Sequence, residues 1–395
     1  MAQFINYLYI GYIILWPLFF KFVLPIDGSG RIYMLLSALM LLVNLLNEKF
    51  RNILRQPSFK FWIIWVLYAL INWILAGIPP VNNVPTFSFI FDTFCLPLLS
   101  MWVVAYEMQR RPYRLVKLMI YLFTAYILLG LILQGMYGGF SGRDSLTLGN
   151  GFALTALCLI VIACIGYATQ LLNKFMFFSL VAIATYAIFM VATRKAFLGE
   201  LIILIFFYLS KYEKINTSRL VKTLALCLAI FSLISLVLPN TEMGERFMSL
   251  EEDAELYNTS NYKILSLLGD RAYFYIVGWD MFLDNPINGI GIQNFMSVTE
   301  YPLPIHSEYI VQLVENGIIG FCIYLMFVVS LFKTTKKINI IPFRRISYGW
   351  LLCMLFISFT AWVYDMAQFF MIYGIFIGVQ INKHTHEKNT AIDKF

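Results

Sequence analysis

The strongest constraint on this chain is its series of continuous apolar runs, each long enough to cross a lipid bilayer. A hydrocarbon core of about 30 Å needs roughly 20 apolar residues in a helix, whereas a membrane strand would show alternation instead. The long stretch at 346–381 is divided near Tyr364-Asp365 and counts as two helices. The other ten runs lie at about residues 6–25, 31–46, 61–78, 86–106, 113–133, 149–169, 175–192, 196–210, 220–239 and 317–332. The sequence therefore predicts an all-α integral membrane protein with about 12 transmembrane helices.

The composition excludes several other classes of protein. Only 13% of the residues are charged and 60% are hydrophobic, whereas a soluble domain carries about 25% charged residues. The six cysteines lie inside apolar runs and form no CxxC pair, so neither a disulfide framework nor a zinc site is indicated. A secreted disulfide scaffold, a soluble enzyme domain and an outer-membrane barrel are all excluded. We expect no metal ion and no cofactor.

Lysine and arginine are distributed unevenly between the two predicted sides of the membrane. With the N-terminus inside, 21 of the 29 fall in cytoplasmic segments and 8 fall outside. This asymmetry follows the positive-inside rule and predicts that both termini are cytoplasmic. It also accounts for the net charge of +7, so no nucleic-acid partner is needed to explain the basic balance.

The predicted helices divide the chain into four parts. Residues 1–239 form nine N-terminal transmembrane helices, and residues 240–316 form one large extracytoplasmic loop. Residues 317–382 form three further transmembrane helices, and residues 383–395 form a cytoplasmic tail. A long connection in a compact architecture is usually functional or disordered, so the loop is where we expect the chemistry.

The large loop is acidic, with 12 acidic and 3 basic residues, and its second half has the pattern of short amphipathic helices. A helix from Arg271 to about Asp284 is rich in aromatic residues and ends at Asn285-Pro286, because the residue before a proline disfavours helix. A tight turn at Gly289-Ile290-Gly291 follows, and another helix begins near Ser307. We expect the aromatic helix to lie at the lipid–water boundary.

Three cations on the predicted outer side are candidate binding residues. Arg194 and Lys195 lie in a minimal turn between two predicted spans, where the positive-inside rule disfavours them. They are either interfacial anchors or paired cations that face an anionic head group. Arg143 lies in a glycine-rich stretch and either pairs with its neighbour Asp144 or has a similar binding role.

His306 is the histidine that lies outside the polar tail, at the start of the second loop helix. Histidine has an ordinary pKa near about 6.5 and is suited to act as a base at neutral pH, although a lone histidine is more often a polar interface residue. Glu308 and Glu315 lie on one face of the helix that follows and are candidate supporting residues. Asp92 and Asp365 lie within or at the edge of the membrane, where ionisable groups are functional candidates by default.

Four segments carry patterns that are specific in combination. His306-Ser307 is followed, after nine residues, by Gly317-Ile318-Ile319-Gly320, and Arg194 directly opens a predicted span. The other two are the loop segment at 268–291 and Arg143 with the downstream Gly149-Asn150-Gly151-Phe152-Ala153. In their order, spacing and shared side of the membrane, these segments resemble the O-antigen polymerase and O-antigen ligase superfamily of integral membrane glycosyltransferases.

The resemblance implies a glycan donor on undecaprenyl diphosphate and a metal-independent transfer at the periplasmic face of the bacterial inner membrane. His306 would correspond to the family's essential base. Arg194 and Arg271 would correspond to the arginines that hold the diphosphate and Arg143 to a supporting one, while Lys195 adds a donor for phosphate. The implied partners are the lipid-linked glycan, membrane lipid, and the chain-length regulator and flippase of the same pathway.

Polymerase and ligase stay open as alternatives within this resemblance. Both transfer a lipid-linked glycan, the first to another lipid-linked repeat unit and the second to lipid A–core. The short spacing from Arg271 to His306 and the Gly-Ile-Gly segment favour a polymerase. A lipid-linked oligosaccharide flippase would show two similar halves, and a cell-wall glycan polymerase would carry a catalytic carboxylate in its loop. The asymmetric loop with its arginine and histidine pattern argues against both.

Overall fold

The computed structural model describes most of the predicted membrane domain. The described residues are 1–22, 29–76, 91–137, 149–191, 193–212, 218, 221–222, 271–292, 294, 295, 298 and 305–386. Every regular element within them is helical, which confirms the all-α prediction for this part of the chain. Most of the predicted run at 220–239 and the first half of the large loop lie outside the described residues.

The described helices follow the apolar runs closely. In chain order they are α1 (Ala2–Phe22), α2 (Ser29–Asn44), α3 (Glu48–Ile53), α4 (Pro57–Ala76), a π-helical turn (Phe91–Cys95) that continues as α5 (Leu96–Arg110), α6 (Pro112–Tyr137), α7 (Asn150–Ala168), α8 (Lys174–Met190), α9 (Arg194–Leu209), α10 (Arg271–Asp284), α11 (Glu308–Lys336), α12 (Ile341–Ser358) and α13 (Ala367–His386). The aromatic loop helix α10 has the predicted bounds.

Eleven of the twelve predicted runs coincide with helices in the described part of the chain. The stretch at 346–381 is two helices, as predicted, separated by a turn at residues 359–366. Four described helices are long and apolar enough to cross a membrane, judged by length and composition: α4, α6, α7 and α11. The predicted boundary at residue 317 falls inside α11, which begins at Glu308 and breaks at Gly317.

Helix α7 lies at the centre of the bundle. Its residues 156–165 are all fully buried, and it packs against α6, α8, α9, α12 and α13. A helix that is apolar on every face is buried by protein or by lipid on every side. The peripheral helix α4 has one apolar exposed face instead, formed by Ile64, Leu67, Ile71 and Ile74, as expected where a helix contacts lipid.

Among the described helices, α5 and α13 form the most extensive contact. Gly374 and Gly378, four residues apart on α13, bring the two backbones close together. A Cβ atom at Gly374 would lie 2.6 Å from the carbonyl oxygen of Met101, and one at Gly378 would lie 2.7 Å from that of Ala105. Small residues at this spacing allow close van der Waals packing of membrane helices, which fixes the start of α13 relative to α5.

Candidate functional site

The turn between α12 and α13, residues 359–366, is where the separated motif segments meet. The Nζ atom of Lys195, at the start of α9, donates a hydrogen bond of 3.2 Å to the carbonyl oxygen of Thr360. The hydroxyl of Tyr275, on α10, donates one of 3.4 Å to the carbonyl oxygen of Phe359. The α12–α13 turn therefore contacts both the cationic segment and the aromatic loop helix.

The same turn is bonded to the segment that carries His306. The indole Nε1 of Trp362 donates to the carbonyl oxygen of Ile305, and the backbone N–H of Val363 donates to Oε2 of Glu308 at 2.9 Å. These contacts hold the residue before His306 and the residue two positions after it. One turn thus joins the start of α9, helix α10 and the His306 segment.

His306 lies in the short extended segment that precedes α11. Its neighbours Ile305 and Ser307 are 1% and 3% exposed, whereas His306 itself is partly exposed. Buried neighbours fix the backbone on both sides, and partial exposure leaves the imidazole within reach of a substrate. A general base must be held in this way, because it acts only within hydrogen-bond distance of the proton that it removes.

Glu308 is a fully buried carboxylate that connects three elements. It accepts hydrogen bonds from the hydroxyl of Tyr324 on α11, from the hydroxyl of Ser358 at the end of α12 at 3.2 Å, and from the N–H of Val363 at 2.9 Å. Burying a carboxylate is costly unless its oxygens are hydrogen-bonded, and three donors meet this requirement. Glu308 therefore ties the start of α11 to the α12–α13 turn.

The start of α9 is a concentrated positive region. Arg194 and Lys195 are its first two residues, both partly buried, and they follow the buried Thr193. The first backbone N–H groups of a helix have no intrahelical acceptor, and the helix dipole adds partial positive charge at this end. Two cationic side chains on a helix N-terminus form an arrangement that suits phosphate oxygens.

The two glycine motifs of the loop region form a single joint. Helix α11 departs from helical geometry at Gly317, where φ is 61°, and the segment at 286–291 packs into the break. The N–H of Ile318 donates to the carbonyl oxygen of Pro286 at 2.9 Å, and the N–H of Ile290 donates to that of Val314 at 2.9 Å. The backbone groups released by the break are thereby hydrogen-bonded, as buried groups must be.

The joint explains why glycine is required at these positions. A Cβ atom on Gly317 would lie 2.1 Å from the carbonyl oxygen of Ile287, and one on Gly289 would lie 2.5 Å from that of Val314. Both glycines also have positive φ, which other residues rarely adopt. The joint fixes the orientation of the first part of α11, residues 308–316, and hence the position of His306 just before it.

Helix α4 supports this joint through polar side chains that the sequence analysis did not single out. Asn72 Nδ2 donates to the carbonyl oxygen of Glu315 at 3.0 Å, and the hydroxyl of Tyr68 donates to that of Asn316 at 3.0 Å. Trp65 Nε1 donates to Oε1 of Gln312 at 3.0 Å. The sequence does show polar residues at about helical spacing in the apolar helix α4. That pattern does not identify their hydrogen-bond partners in α11.

The other predicted site residues lie in different parts of the chain. Arg143 lies outside the described residues, and Arg271 is the first residue of α10 but its side chain is not among those described. Glu315 is 4% exposed and contributes its backbone carbonyl to the joint. Asp92 and Asp365 line a cavity beside the α12–α13 turn. The described residues contain no group of three or more His, Cys, Asp or Glu side chains able to hold a metal ion.

Comparison with known protein families finds a match in the region around this site. Residues 178–325 match the family model described as Wzy_C, O-antigen ligase. Over these residues the chain is similar to O-antigen ligases. The matched region spans the start of α9, helix α10, the glycine joint and His306, and the match agrees with the resemblance noted from the motifs. It supports an O-antigen ligase or polymerase type of activity on a lipid-linked glycan. No curated protein matches the chain.

Proposed function

We propose that this chain polymerises undecaprenyl-diphosphate-linked oligosaccharide repeat units into O-antigen or capsule-type surface polysaccharide. The observation that carries the proposal is the α12–α13 turn, which bonds the cationic start of α9 and the His306 segment at once. Phosphate-binding cations and a base held by one support are what glycosyl transfer from a diphosphate requires.

The proposed reaction is a single displacement at the anomeric carbon. A hydroxyl oxygen of the acceptor sugar attacks this carbon, and His306 accepts the hydroxyl proton. The bond between the anomeric carbon and the diphosphate oxygen breaks, and its electron pair leaves with the diphosphate. One displacement inverts the anomeric configuration, so the product linkage is opposite in configuration to the donor linkage.

The cations of the chain would stabilise the leaving group in this reaction. Negative charge develops on the departing diphosphate oxygen, and fixed positive groups that face it lower the barrier. Arg194, Lys195 and Arg271 are the proposed donors, with Arg143 in a supporting role. The planar guanidinium matches two phosphate oxygens at once, whereas an ammonium group acts as a point charge. The proposed transfer is metal-independent because these groups supply the charge.

The proposed location is the periplasmic face of the bacterial inner membrane, with both termini in the cytoplasm. The excess of lysine and arginine in the predicted cytoplasmic segments supports this orientation. It leaves the start of α9, the large loop and the α12–α13 turn on the outer side. A flippase of the same pathway would deliver the substrate there, and a chain-length regulator would act on the growing product.

An O-antigen ligase is the second candidate function. The description of the matching family model favours it, whereas the short spacing from Arg271 to His306 favours the polymerase. The two differ in the acceptor, which is lipid A–core for a ligase and another lipid-linked repeat unit for a polymerase. The donor side of the site and the role of His306 are the same in both.

The test is deletion of the gene in its host, with complementation by the wild type and by His306→Ala, and a gel of the surface polysaccharide. Loss of the long ladder with a single repeat unit still attached supports a polymerase. Complete loss of attached glycan, with long chains accumulating on undecaprenyl diphosphate, supports a ligase. A wild-type pattern restored by His306→Ala contradicts both assignments of the base and favours a transporter.

A further inference from the structure

A cavity of about 240 Å³ lies beside the α12–α13 turn and has no role in the reaction described above. It is lined by Ile13 and Pro17 of α1, by Asp92 and Thr93 of the π-helical turn, and by Asp365 and Gln368 at the start of α13. Three elements that are distant in sequence therefore form one concave surface, with apolar side chains and oxygen-bearing side chains on the same wall.

Two polar side chains that line this cavity are almost completely buried. Thr93 is only 5% exposed, and it lines the cavity. Gln368 is 8% exposed, and its Nε2 donates to the carbonyl oxygen of Ile13 at 3.2 Å, which leaves its Oε1 as an acceptor. Buried polar groups are nearly always hydrogen-bonded in native structures. A ligand in the cavity would therefore have to hydrogen-bond to these two side chains.

The chemistry of the wall defines that ligand. Asp92, Asp365 and the Oε1 of Gln368 accept hydrogen bonds, and the Thr93 hydroxyl accepts or donates one. A matching ligand therefore presents several hydroxyl donors and no negative charge where it faces the carboxylates. On the same measure of volume, a cavity needs only roughly 10–15 Å³ to hold one water molecule, so this one admits a much larger group. This size and polarity match a single sugar ring.

The α12–α13 turn connects the cavity to the His306 segment. Val363 and Trp362 are bonded to Glu308 and Ile305, on either side of His306. Asp365 follows Val363 by two residues, so their Cα atoms are at most about 7 Å apart. The turn that holds the His306 segment therefore continues directly into the wall of the cavity.

We propose that this cavity binds the attacking sugar of the acceptor glycan, separately from the diphosphate of the donor. The inference rests on the proposed glycosyl transfer and assigns the acceptor to residues outside the matched family region. Asp92, Thr93, Asp365 and Gln368 bind its hydroxyl groups. The cationic start of α9 attracts the donor diphosphate, whereas the carboxylates of the cavity repel it, so the two substrates are sorted by charge.

The experiment measures binding of the repeat-unit oligosaccharide, released from its carrier lipid in the host by mild acid, to the purified protein in detergent. This probe has no diphosphate, so its binding does not depend on the phosphate-binding cations at the start of α9. Thr93→Val removes the hydroxyl at constant shape, and Asp365→Asn removes one carboxylate. We expect each to weaken binding by about five- to tenfold, because each loses at least one hydrogen bond to the sugar.

Two further variants make the result decisive. Thr93→Ser keeps the hydroxyl and should bind within about twofold of the wild type, which a general packing defect at this position would not allow. Glu48→Gln alters an exposed carboxylate on α3 and should bind as the wild type does. Thermal unfolding in detergent establishes that the compared proteins are folded.

Three outcomes would overturn the inference. If Thr93→Val and Asp365→Asn are folded and bind the oligosaccharide as the wild type does, while the wild type still forms polymer, the acceptor lies elsewhere and the proposed function stands. If the wild type binds Ca²⁺ or Mg²⁺ alone, Asp365→Asn loses the ion, and oligosaccharide binding is unchanged, the cavity is a cation site. If the wild type neither binds the oligosaccharide nor forms polymer, the proposed function fails as well.

Discussion

At the residue scale, the buried carboxylate of Glu308 holds the segment that carries His306 against the α12–α13 turn. Its three donors come from α11, the end of α12 and the α12–α13 turn. The sequence placed Glu308 on one face of a helix and named it as a supporting residue. Its partners Ser358 and Val363 are about fifty residues away along the chain, and helical spacing carries no information about contacts of that kind.

Two substitutions at Glu308 test its contributions to stability and to activity separately. Glu308→Ala should lower the free energy of unfolding by about 2–3 kcal/mol, because a buried donor left without an acceptor costs about 1–3 kcal/mol. Glu308→Gln keeps the shape but offers one acceptor oxygen, so we expect a folded protein with about tenfold slower transfer. Thermal unfolding in detergent and polymer yield measure the two effects. Equal activity of Glu308→Gln and the control Glu48→Gln would show that Glu308 has no role in the transfer.

The arginines give a second prediction at this scale. Arg271→Lys retains the charge but replaces a planar guanidinium, which binds two phosphate oxygens, with a point charge. We expect loss of polymer in membranes that contain normal amounts of the variant protein. Lys60→Arg, at the predicted cytoplasmic end of α4, is the matched control because it exchanges the same two groups away from the site. Normal polymer from Arg271→Lys would show that two-point phosphate contact at this residue is not needed.

At the scale of elements, the glycine joint determines the path of α11. The sequence predicted a helix beginning near Ser307, which is confirmed. It also predicted a tight turn at Gly289-Ile290-Gly291, whereas the turn lies just before it, at residues 286–288, and Gly289 and Gly291 have positive φ. It did not predict that the turn fills the break at Gly317. A sequence pattern can indicate that each glycine has an unusual local conformation. It does not predict the contact between them, because the two segments are about thirty residues apart.

Gly317→Ala tests the joint. The added Cβ would meet the carbonyl oxygen of Ile287 at 2.1 Å, in a backbone conformation with φ of 61°. We expect the free energy of unfolding to fall by about 2–4 kcal/mol, since strain at such a position costs about 1–3 kcal/mol and the clash adds to it. Gly151→Ala is the control, because a Cβ at Gly151 meets nothing within 4 Å. Equal melting temperatures for the two variants would contradict the joint as described.

Helix α3 shows the opposite case, an element that the sequence analysis missed. It spans only six residues, so its apolar pattern is too short to read. Its signal was local: the side chain of Asn47 caps the helix by accepting from the N–H groups of Lys49 and Phe50. Asparagine is a preferred N-cap residue. A search for caps in the basic segments between apolar runs would have found it.

At the scale of the whole molecule, the apolar runs predicted the helical bundle, and they could do so because each helix buries or exposes apolar surface along its own length. The meeting of the α9, α10 and His306 segments at the α12–α13 turn was not predictable in the same way. Polar contacts between separate helices depend on how the helices pack, and the apolar pattern of one run does not predict its packing partners. The turn itself was noted through Tyr364 and Asp365, but not its partners.

The predicted topology can be tested on the intact cell. Ser249→Cys, in the large loop, should react with a membrane-impermeant maleimide before lysis, because the loop is predicted to be periplasmic. Thr390→Cys, in the tail, should react only after lysis. The native cysteines lie in apolar runs, and the unsubstituted protein measures their background. Labelling of the tail in intact cells would reverse the orientation and remove the site from the periplasm.

The central claim is that His306 removes the proton of the attacking hydroxyl, beside cations that hold the diphosphate. It is tested most directly by purified wild type and His306→Ala in liposomes, supplied with lipid-linked repeat units from the host, with the first transfer followed in a single turnover. The account predicts a transfer rate lower by about 10²–10⁴-fold for His306→Ala, the usual contribution of a general base, with the donor still bound. A rate within a factor of about two of the wild type would contradict it.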